Sequence, residues 1–451
     1  MDLSGERVLV VGLGTSGLAA VHLLSESGAR VVANDRRTEE ELGAAADEAR
    51  QAGAELVLGA HPPELFRSVD RIVVSPGVPR LEALSAAAAA GVPIASEVEL
   101  ASWFVEGTVI AITGTNGKST VTTMVGEMCA RSGRPTFVGG NLGTPLVTVA
   151  GSPAARPGGF VVVELSSFQL ERVDRFRADV AVLLNVTADH LDRYDGLSDY
   201  AAAKARVFHG QGPGDAAVVP AGDELVLSLA RAGAAAIHPF GGPDGVVRER
   251  DGSIRNGTSS LSVSVDELRI RGRHNVDNAC AAALAARLAG VAPEDVATVL
   301  RSFEGLAHRM QLIRTLSGVR WYDDSKATNV GAAVAAVDGL AADQPVVLIA
   351  GGRDKGGSYA PLRERLERRA RAVVLLGEAA PVMSAALEGI APPVERVASM
   401  PEAVDRARHF ARPGDAVLLA PACSSYDMFR TFAERGDIFQ DLVRALPEED
   451  R

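Results

Sequence analysis

Nine residues, I112-T-G114-T-N-G117-K118-S119-T120, bring two glycines, a lysine and several hydroxyls together. The apolar run T108-V-I-A-I-T113 before them reads as a strand, and V121 to A130 after them reads as a helix. In that setting the glycines allow a tight turn, and the N–H groups at the helix start face a phosphate. Gly114, Thr115, Asn116 and Gly117 would form the cradle, and the Lys118 ammonium would bridge the β- and γ-oxygens. The hydroxyl of Ser119 or Thr120 would ligate Mg²⁺. The first glycine stands three residues before Gly117, a tighter loop than G-x-x-x-x-G-K-[ST]. A glycine turn with a capping serine would account for the glycines and Ser119, but not for Lys118 between strand and helix.

Such a loop needs a second metal ligand, and F160-V-V-V-E164 ends an apolar run in a carboxylate, where doubly wound sheets place their ligands. The next run leads into N185-V-T-A-D-H190-L-D-R-Y194; taken alone, its histidine reads as structural or surface-exposed. Near the N-terminus V8-L-V-V-G-L-G-T-S-G17 carries Gly12-x-Gly14-x-x-Gly17, and Asp35 closes the following apolar run. These features suit a diphosphate at a helix start, whether or not the ligand also carries a nicotinamide or flavin.

At 451 residues the chain calls for about three domains at roughly 150 residues each. With 47% hydrophobic and 23% charged residues it is a globular, ordered protein, and a net charge of −11 argues against a general nucleic-acid or anionic-membrane surface. Cys129, Cys280 and Cys423 are too far apart for a C-x-x-C motif and are expected to be buried thiols. No leader pattern and no long apolar segment is evident, so a cytoplasmic protein without membrane insertion is expected. Short Val/Ile/Leu runs at 8–11, 31–33, 56–58 and 72–74 alternate with helix-length stretches as in a parallel α/β unit. A second series starts at residue 108 and includes the Gly/Arg/Asp-rich stretch 241–258, expected to be a hairpin or surface loops. After the helical pattern of 275–287, a third series runs through 319–324, 346–350, 373–376 and 417–420. The expected fold class is therefore α/β with three domains, residues 1–100, 101–305 and 306–451.

In this order, G-T-N-G-K-S-T, E-L-S-S-F-Q-L and N-V-T-A-D-H-L-D-R-Y make the chain resemble the Mur ligases, ATP-dependent amide-forming enzymes of peptidoglycan precursor synthesis. The resemblance spans nearly the whole length, through H274-N-V-D-N278, A307-H-R-M310, D323-D-S-K-A-T-N329, G351-G-R-D-K355 and P421-A-C-S-S-Y-D-M-F-R-T-F432. It implies a Rossmann-like UDP-binding domain, a central P-loop-type ATPase domain and a Rossmann-like C-terminal domain. D-S-K-A-T-N resembles the branch that adds D-glutamate to UDP-N-acetylmuramoyl-L-alanine through an acyl phosphate, releasing ADP and phosphate.

By that resemblance the first glycine loop holds a UDP-sugar. Gly14, Thr15 and Ser16 would face the diphosphate, Asp35 and Arg36 the uridine, with Ser75 nearby and Asn141 reaching in from the central domain. Lys118, Glu164, His190 and Lys204 would be catalytic; two Mg²⁺ ions are implied, held by Ser119, Glu164, His190 and a carbamylated Lys204 (N6-carboxylysine). Asn275 and Asn278 would contact adenine, and His308, Arg309 and Asp324 the rest of ATP. Lys326, Thr328, Lys355, Ser425 and Phe432 would hold D-glutamate, with Tyr426 where relatives have Leu. A monomer that closes about a hinge near residues 300 to 310 is expected.

A nicotinamide oxidoreductase would leave G-T-N-G-K-S-T without a role, and a P-loop transporter or kinase would leave the N-terminal domain unused. A noncatalytic nucleotide-binding protein would not be expected to keep Lys118, Glu164, His190 and Lys204 together. Sister Mur ligases and folylpolyglutamate synthetases share the mechanism and differ in acceptor.

Overall fold

The computed structural model describes residues 3–190, 193–242, 245–256, 261–270 and 272–448. It contains three α/β sheets. The first comprises β1 (Arg7–Val11), β2 (Arg30–Asp35), β3 (Glu55–Leu58), β4 (Arg71–Val74) and β5 (Ile94–Ser96), all parallel in the order β3-β2-β1-β4-β5. Val8 to Val11 are buried, as an apolar run covered on both faces must be. Strand order reverses between β1 and β4, and a crevice opens beyond their carboxyl ends.

The second sheet contains β6 (Thr108–Thr113), β7 (Thr136–Gly140), β8 (Phe160–Glu164), β9 (Val180–Leu183), β10 (Ala216–Pro220), β11 (Ala236–Phe240), β12 (Val247–Arg250), β13 (Ser253–Asn256) and β14 (Ser262–Ser264). Its order is β14-β13-β12-β11-β10-β9-β6-β8-β7. Strand β6 lies between β8 and β9, so the loop after Thr113 emerges beside Glu164. The expected hairpin is β12–β13, turning at Asp251 and Gly252; residues 243, 244, 257 and 258 of that stretch lie outside those described.

The third sheet has β15 (Gln311–Leu316), β16 (Val319–Asp323), β17 (Val346–Gly351), β18 (Ala370–Leu376), β19 (Val394–Arg396) and β20 (Ala416–Leu419), ordered β15-β16-β20-β17-β18-β19. Alternation along β17 sends Val346, Leu348 and Ala350 into one apolar cluster and Val347 and Ile349 into another. Strand β15 pairs antiparallel with β16 and was not foreseen, because half-buried polar residues dilute its apolar pattern.

By compactness the chain forms two units: Met1–Asn185 with Ala201–Glu267 and Asp277–Arg301, and Val186–Tyr200 with Leu268–Val276 and Ser302–Arg451. The first two sheets belong to the first unit and the third sheet to the second. Cys129, Cys280 and Cys423 are buried free thiols. Among the described residues no helix is long and apolar enough to cross a membrane.

Candidate functional site

In the first unit a cavity of about 550 Å³ lies at the carboxyl ends of β1, β2 and β4. Gly14, Thr15, Ser16, Asp35, Arg36, Ser75 and Asn141 all line it, so the structure brings together every residue expected to meet the UDP moiety. Gly12 has φ 89°, and a Cβ on Gly17 would sit 1.8 Å from the Gly12 carbonyl oxygen; both glycines are needed to turn the chain into helix Thr15–Glu26. That helix starts at Gly14 without a side-chain cap, which leaves its start suited to an anion. Ser75 Oγ donates to Gly12 O at 2.7 Å and braces the turn.

The Asp35 carboxylate accepts from Leu13 N at 2.8 Å and from Arg37 Nη2 at 2.7 Å. Burial alone would push its pKa up, but the hydrogen bonds from Arg37 and Leu13 outweigh burial and bring it down to about 2. Arg37 and His61 also line the cavity. Neither was singled out from the sequence, since their approach depends on the turns after β2 and β3.

Farther along the same unit, Gly117 adopts φ 86° as the N-cap of helix Lys118–Arg131. A Cβ there would meet Asn278 Oδ1 at 2.4 Å, so glycine is required both for the left-handed turn and for the approach of Asn278. Lys118 Nζ donates to Gly114 O and Thr115 O, each at 2.9 Å, folding its ammonium over the loop. Lys204, only 1% exposed, donates from Nζ to Gly114 O at 2.7 Å. Asn185 secures the loop with Oδ1 accepting from Asn116 N at 2.9 Å and Nδ2 donating to Asn116 O at 3.0 Å. Ser119 and Thr120 are buried in the first helical turn.

Glu164 closes β8 nearly fully buried. Its Oε1 accepts from Asn141 Nδ2 at 2.7 Å, while Oε2 is buried with no partner among the described residues. An orphaned carboxylate oxygen is costly unless something positive completes it. Together with the Ser119 hydroxyl, this oxygen chemistry fits a hard divalent cation such as Mg²⁺.

The second unit holds the residues expected to meet D-glutamate on loops at the carboxyl ends of β16, β17 and β20. Lys326 Nζ lies 3.8 Å from the centroid of the Phe432 ring, at the start of helix Phe432–Ala445, and Thr328 N donates to Lys326 O at 2.8 Å. Lys355 Nζ is 3.3 Å from Asp189 Oδ1, and Asn329 Nδ2 donates to Asp189 Oδ2 at 3.0 Å. Burial would raise the Asp189 pKa, but the charges of Lys355 and His190 and these hydrogen bonds lower it overall. Ser425 is buried, its carbonyl accepting from Met428 N and Phe429 N, whereas Tyr426 is 68% exposed and turns away from the core.

Arg435 binds these loops together. Only 1% exposed, it donates through Nη2 to Ser325 O at 2.9 Å, through Nη1 to Cys423 O at 3.3 Å and Gly351 O at 3.5 Å, and through Nε to Ser325 Oγ at 3.0 Å. Burial lowers its pKa to about 10. Nothing in the sequence marks an arginine within a helix as a core residue, so Arg435 was not anticipated.

Of the residues expected around ATP, His308 is buried with φ 59° and its Nδ1 lies 2.6 Å from Asp323 Oδ2. Burial pushes the Asp324 carboxyl up to about 7 against the opposing charge of Arg309. Asn275 lies in the first turn of helix Arg273–Leu288, and His190 takes φ 54°, a left-handed backbone for a non-glycine residue. Lys118, Glu164, Lys204 and Asn278 belong to the first unit, whereas His190, Asn275, His308, Arg309 and Asp324 belong to the second.

Family models for the Mur ligase MurD-like N-terminal domain, the Mur ligase middle domain and the Mur ligase glutamate ligase domain match residues 6–96, 112–286 and 308–423. The chain is similar to the UDP-N-acetylmuramoylalanine–D-glutamate ligase of Anaeromyxobacter dehalogenans, at 46% identity over 98% of both chains. It is also similar to that of Myxococcus xanthus, at 45% identity over 99% of this chain and 100% of the relative. Among solved structures, a pseudomurein peptide ligase type C from Methanothermus fervidus shares the fold at TM-score 0.62 and 19% identity, covering 98% of this chain and 99% of that one. The UDP-N-acetylmuramate–alanine ligase of Thermotoga maritima does so at TM-score 0.59 and 20% identity, covering 98% and 99%. Full-length identity of this order, with all three domain models matched in sequence order, shows that the chain belongs to the Mur ligase family.

Proposed function

We propose that this ATP-dependent ligase joins D-glutamate to UDP-N-acetylmuramoyl-L-alanine in peptidoglycan precursor synthesis, giving ADP, phosphate and the UDP-muramoyl dipeptide. The observation that carries the reading is Asn141, which lines the diphosphate cavity and also donates to Glu164, coupling that cavity to the phosphate-loop sheet.

In this reading the start of helix Thr15–Glu26 takes the diphosphate, and Asp35 and Arg36 take the uridine. Lys118 exchanges the carbonyls of Gly114 and Thr115 for phosphate oxygens, holding the γ-phosphate for in-line attack by the muramoyl-alanine carboxylate. The acyl phosphate supplies the leaving group that a carboxylate lacks, and the D-glutamate amine then displaces phosphate to form the amide. Asn275 and Asn278 serve adenine, and His308, Arg309 and Asp324 the remainder of ATP. Lys326, Lys355, Thr328 and Ser425 receive the two carboxylates of D-glutamate through cations and hydroxyls, and Phe432 lines the same pocket with its ring beneath the Lys326 ammonium.

Two Mg²⁺ ions would be held by Ser119, Glu164, His190 and a carbamylated Lys204, and Mg²⁺ would neutralise charge gathering on the transferring phosphoryl group. The orphaned Oε2 of Glu164 supports this donor set. The reading includes domain boundaries near residues 100 and 305, a cytoplasmic monomer, and closure about residues 300 to 310 that excludes water from the acyl phosphate. Scattering curves that superpose with and without an ATP analogue and the UDP-substrate would remove the closure.

Phosphate release from ATP and Mg²⁺ with UDP-N-acetylmuramoyl-L-alanine tests the whole reading when D-glutamate, L-glutamate, L-lysine and L-alanine are offered separately. Release confined to D-glutamate is expected. Release with another amino acid would move the chain to a sister acceptor class.

A further inference from the structure

Asn34 fixes the hydrogen-bonding state of a histidine in the diphosphate cavity. Buried at the end of β2, it donates through Nδ2 to Val57 O at 2.7 Å and to Ala60 O at 2.8 Å. Both acceptors are carbonyls, which sets the amide orientation and leaves Oδ1 as the group facing His61. Oδ1 lies 2.6 Å from His61 Nδ1, and because an amide oxygen only accepts, Nδ1 must carry the proton.

Burial lowers the His61 pKa, with Asp35 opposing and Arg36 assisting, so the ring is neutral near pH 7. Nε2 is then a lone-pair acceptor, and it has no partner among the described residues. The ring stands edge-on to buried Phe66, with centroids 6.1 Å apart and planes at 88°. His61 lines the cavity with Asp35, Arg36 and Arg37, which follow from the end of β2.

We infer that His61 Nε2 accepts the imide N3–H of uracil, so that the Asn34–His61 pair selects uridine over cytidine nucleotides. The inference rests on the reading of the cavity as a UDP site and goes beyond it by naming the atom that reads the base. A lone pair repels phosphate oxygens, and ribose hydroxyls find the Asp35 carboxylate alongside. At N3 uracil offers a donor where cytosine offers a second lone pair. That mismatch leaves two acceptors facing one another, and a polar site deprived of its partner discriminates by about tenfold or more.

Calorimetric titration of the full chain with UDP, CDP and N3-methyl-UDP tests this. The native protein is expected to favour UDP over both by about tenfold. His61→Phe keeps a ring without the lone pair and should bring the three affinities together, chiefly through loss of UDP binding. His61→Gln, whose amide oxygen can accept the same N–H, should recover part of the preference. Equal affinity of the native protein for UDP and CDP overturns the inference without needing any variant, as does a preference unchanged in His61→Phe. Native protein that binds none of the three while binding NADH would instead overturn the assignment of the cavity itself.

Discussion

Asn141 Nδ2 donates to Glu164 Oε1 at 2.7 Å, and Asn141 N donates to Glu164 O at 2.8 Å, so a residue lining the UDP cavity grips the candidate metal ligand through both backbone and side chain. Occupancy of the sugar-nucleotide cavity and the placement of Glu164 thereby share one residue. Asn141→Ala is expected to raise KM for the UDP-substrate and lower kcat, each about tenfold, as one charge-assisted hydrogen bond is worth roughly 1.5 to 3 kcal/mol. A Mg²⁺ titration of phosphate release should shift to higher concentration in parallel. An effect on KM alone would separate the two roles.

Lys118→Ala should lower kcat by about a thousandfold, because the charge that meets the γ-phosphate is gone. UDP affinity measured by calorimetry should be unchanged, since the other cavity is left intact. In the same assay Lys204→Met should abolish turnover. Protein equilibrated with ¹³C-bicarbonate should show a carbamate resonance that Lys204→Met lacks.

Removing the Lys355 ammonium leaves the buried Asp189 carboxylate with Asn329 and its own loop alone. Because Lys355 is partly exposed and Asp189 keeps its bond from Asn329, Lys355→Ala is expected to cost roughly 1 to 3 kcal/mol of stability and to raise KM for D-glutamate at least tenfold. Lys355→Ala with Asp189→Asn should restore the stability but not the KM. Denaturant unfolding alongside steady-state kinetics separates the two effects, and recovery of KM in the double variant would remove Lys355 from the acceptor site.

Glu97 is 1% exposed; its Oε1 accepts from Val147 N at 2.7 Å, and its Oε2 has no partner among the described residues. Burial pushes its pKa from 4.5 up to about 7. The folded protein thus holds a proton that the unfolded chain releases first, and this stabilising contribution, complete below about pH 4.5, is lost as pH rises through about 7. Glu97→Gln should flatten stability between those values and gain on the order of 3 kcal/mol at pH 8 relative to the native protein. Unfolding midpoints across that range check the sign.

Where chemistry demanded particular residue types at fixed spacing, the sequence was informative. Gly117 before Lys118 carried its left-handed turn in plain view, and Glu164 was placed by an apolar run ending in a carboxylate. His61, Asn185, Asp189 and Arg435 were not legible, because each acts through partners brought close by the fold, and Arg37, whose partner Asp35 is local, enters the cavity only through the turn after β2. Arg435 meets Ser325, 110 positions away, and Asp189 meets Lys355, 166 positions away. Local periodicity holds no record of such encounters. The antiparallel β15 escaped notice because Gln311, Arg314 and Thr315 break its apolar run.

Strand β20 comes after the other strands of its sheet in sequence, yet it inserts between β16 and β17 rather than at an edge. While the ribosome is still making residues 416–419, both neighbours present unpaired backbone along the middle of a nascent sheet. The third sheet cannot close before residues 416–419 are made, and until then β16 and β17 each carry an adhesive edge.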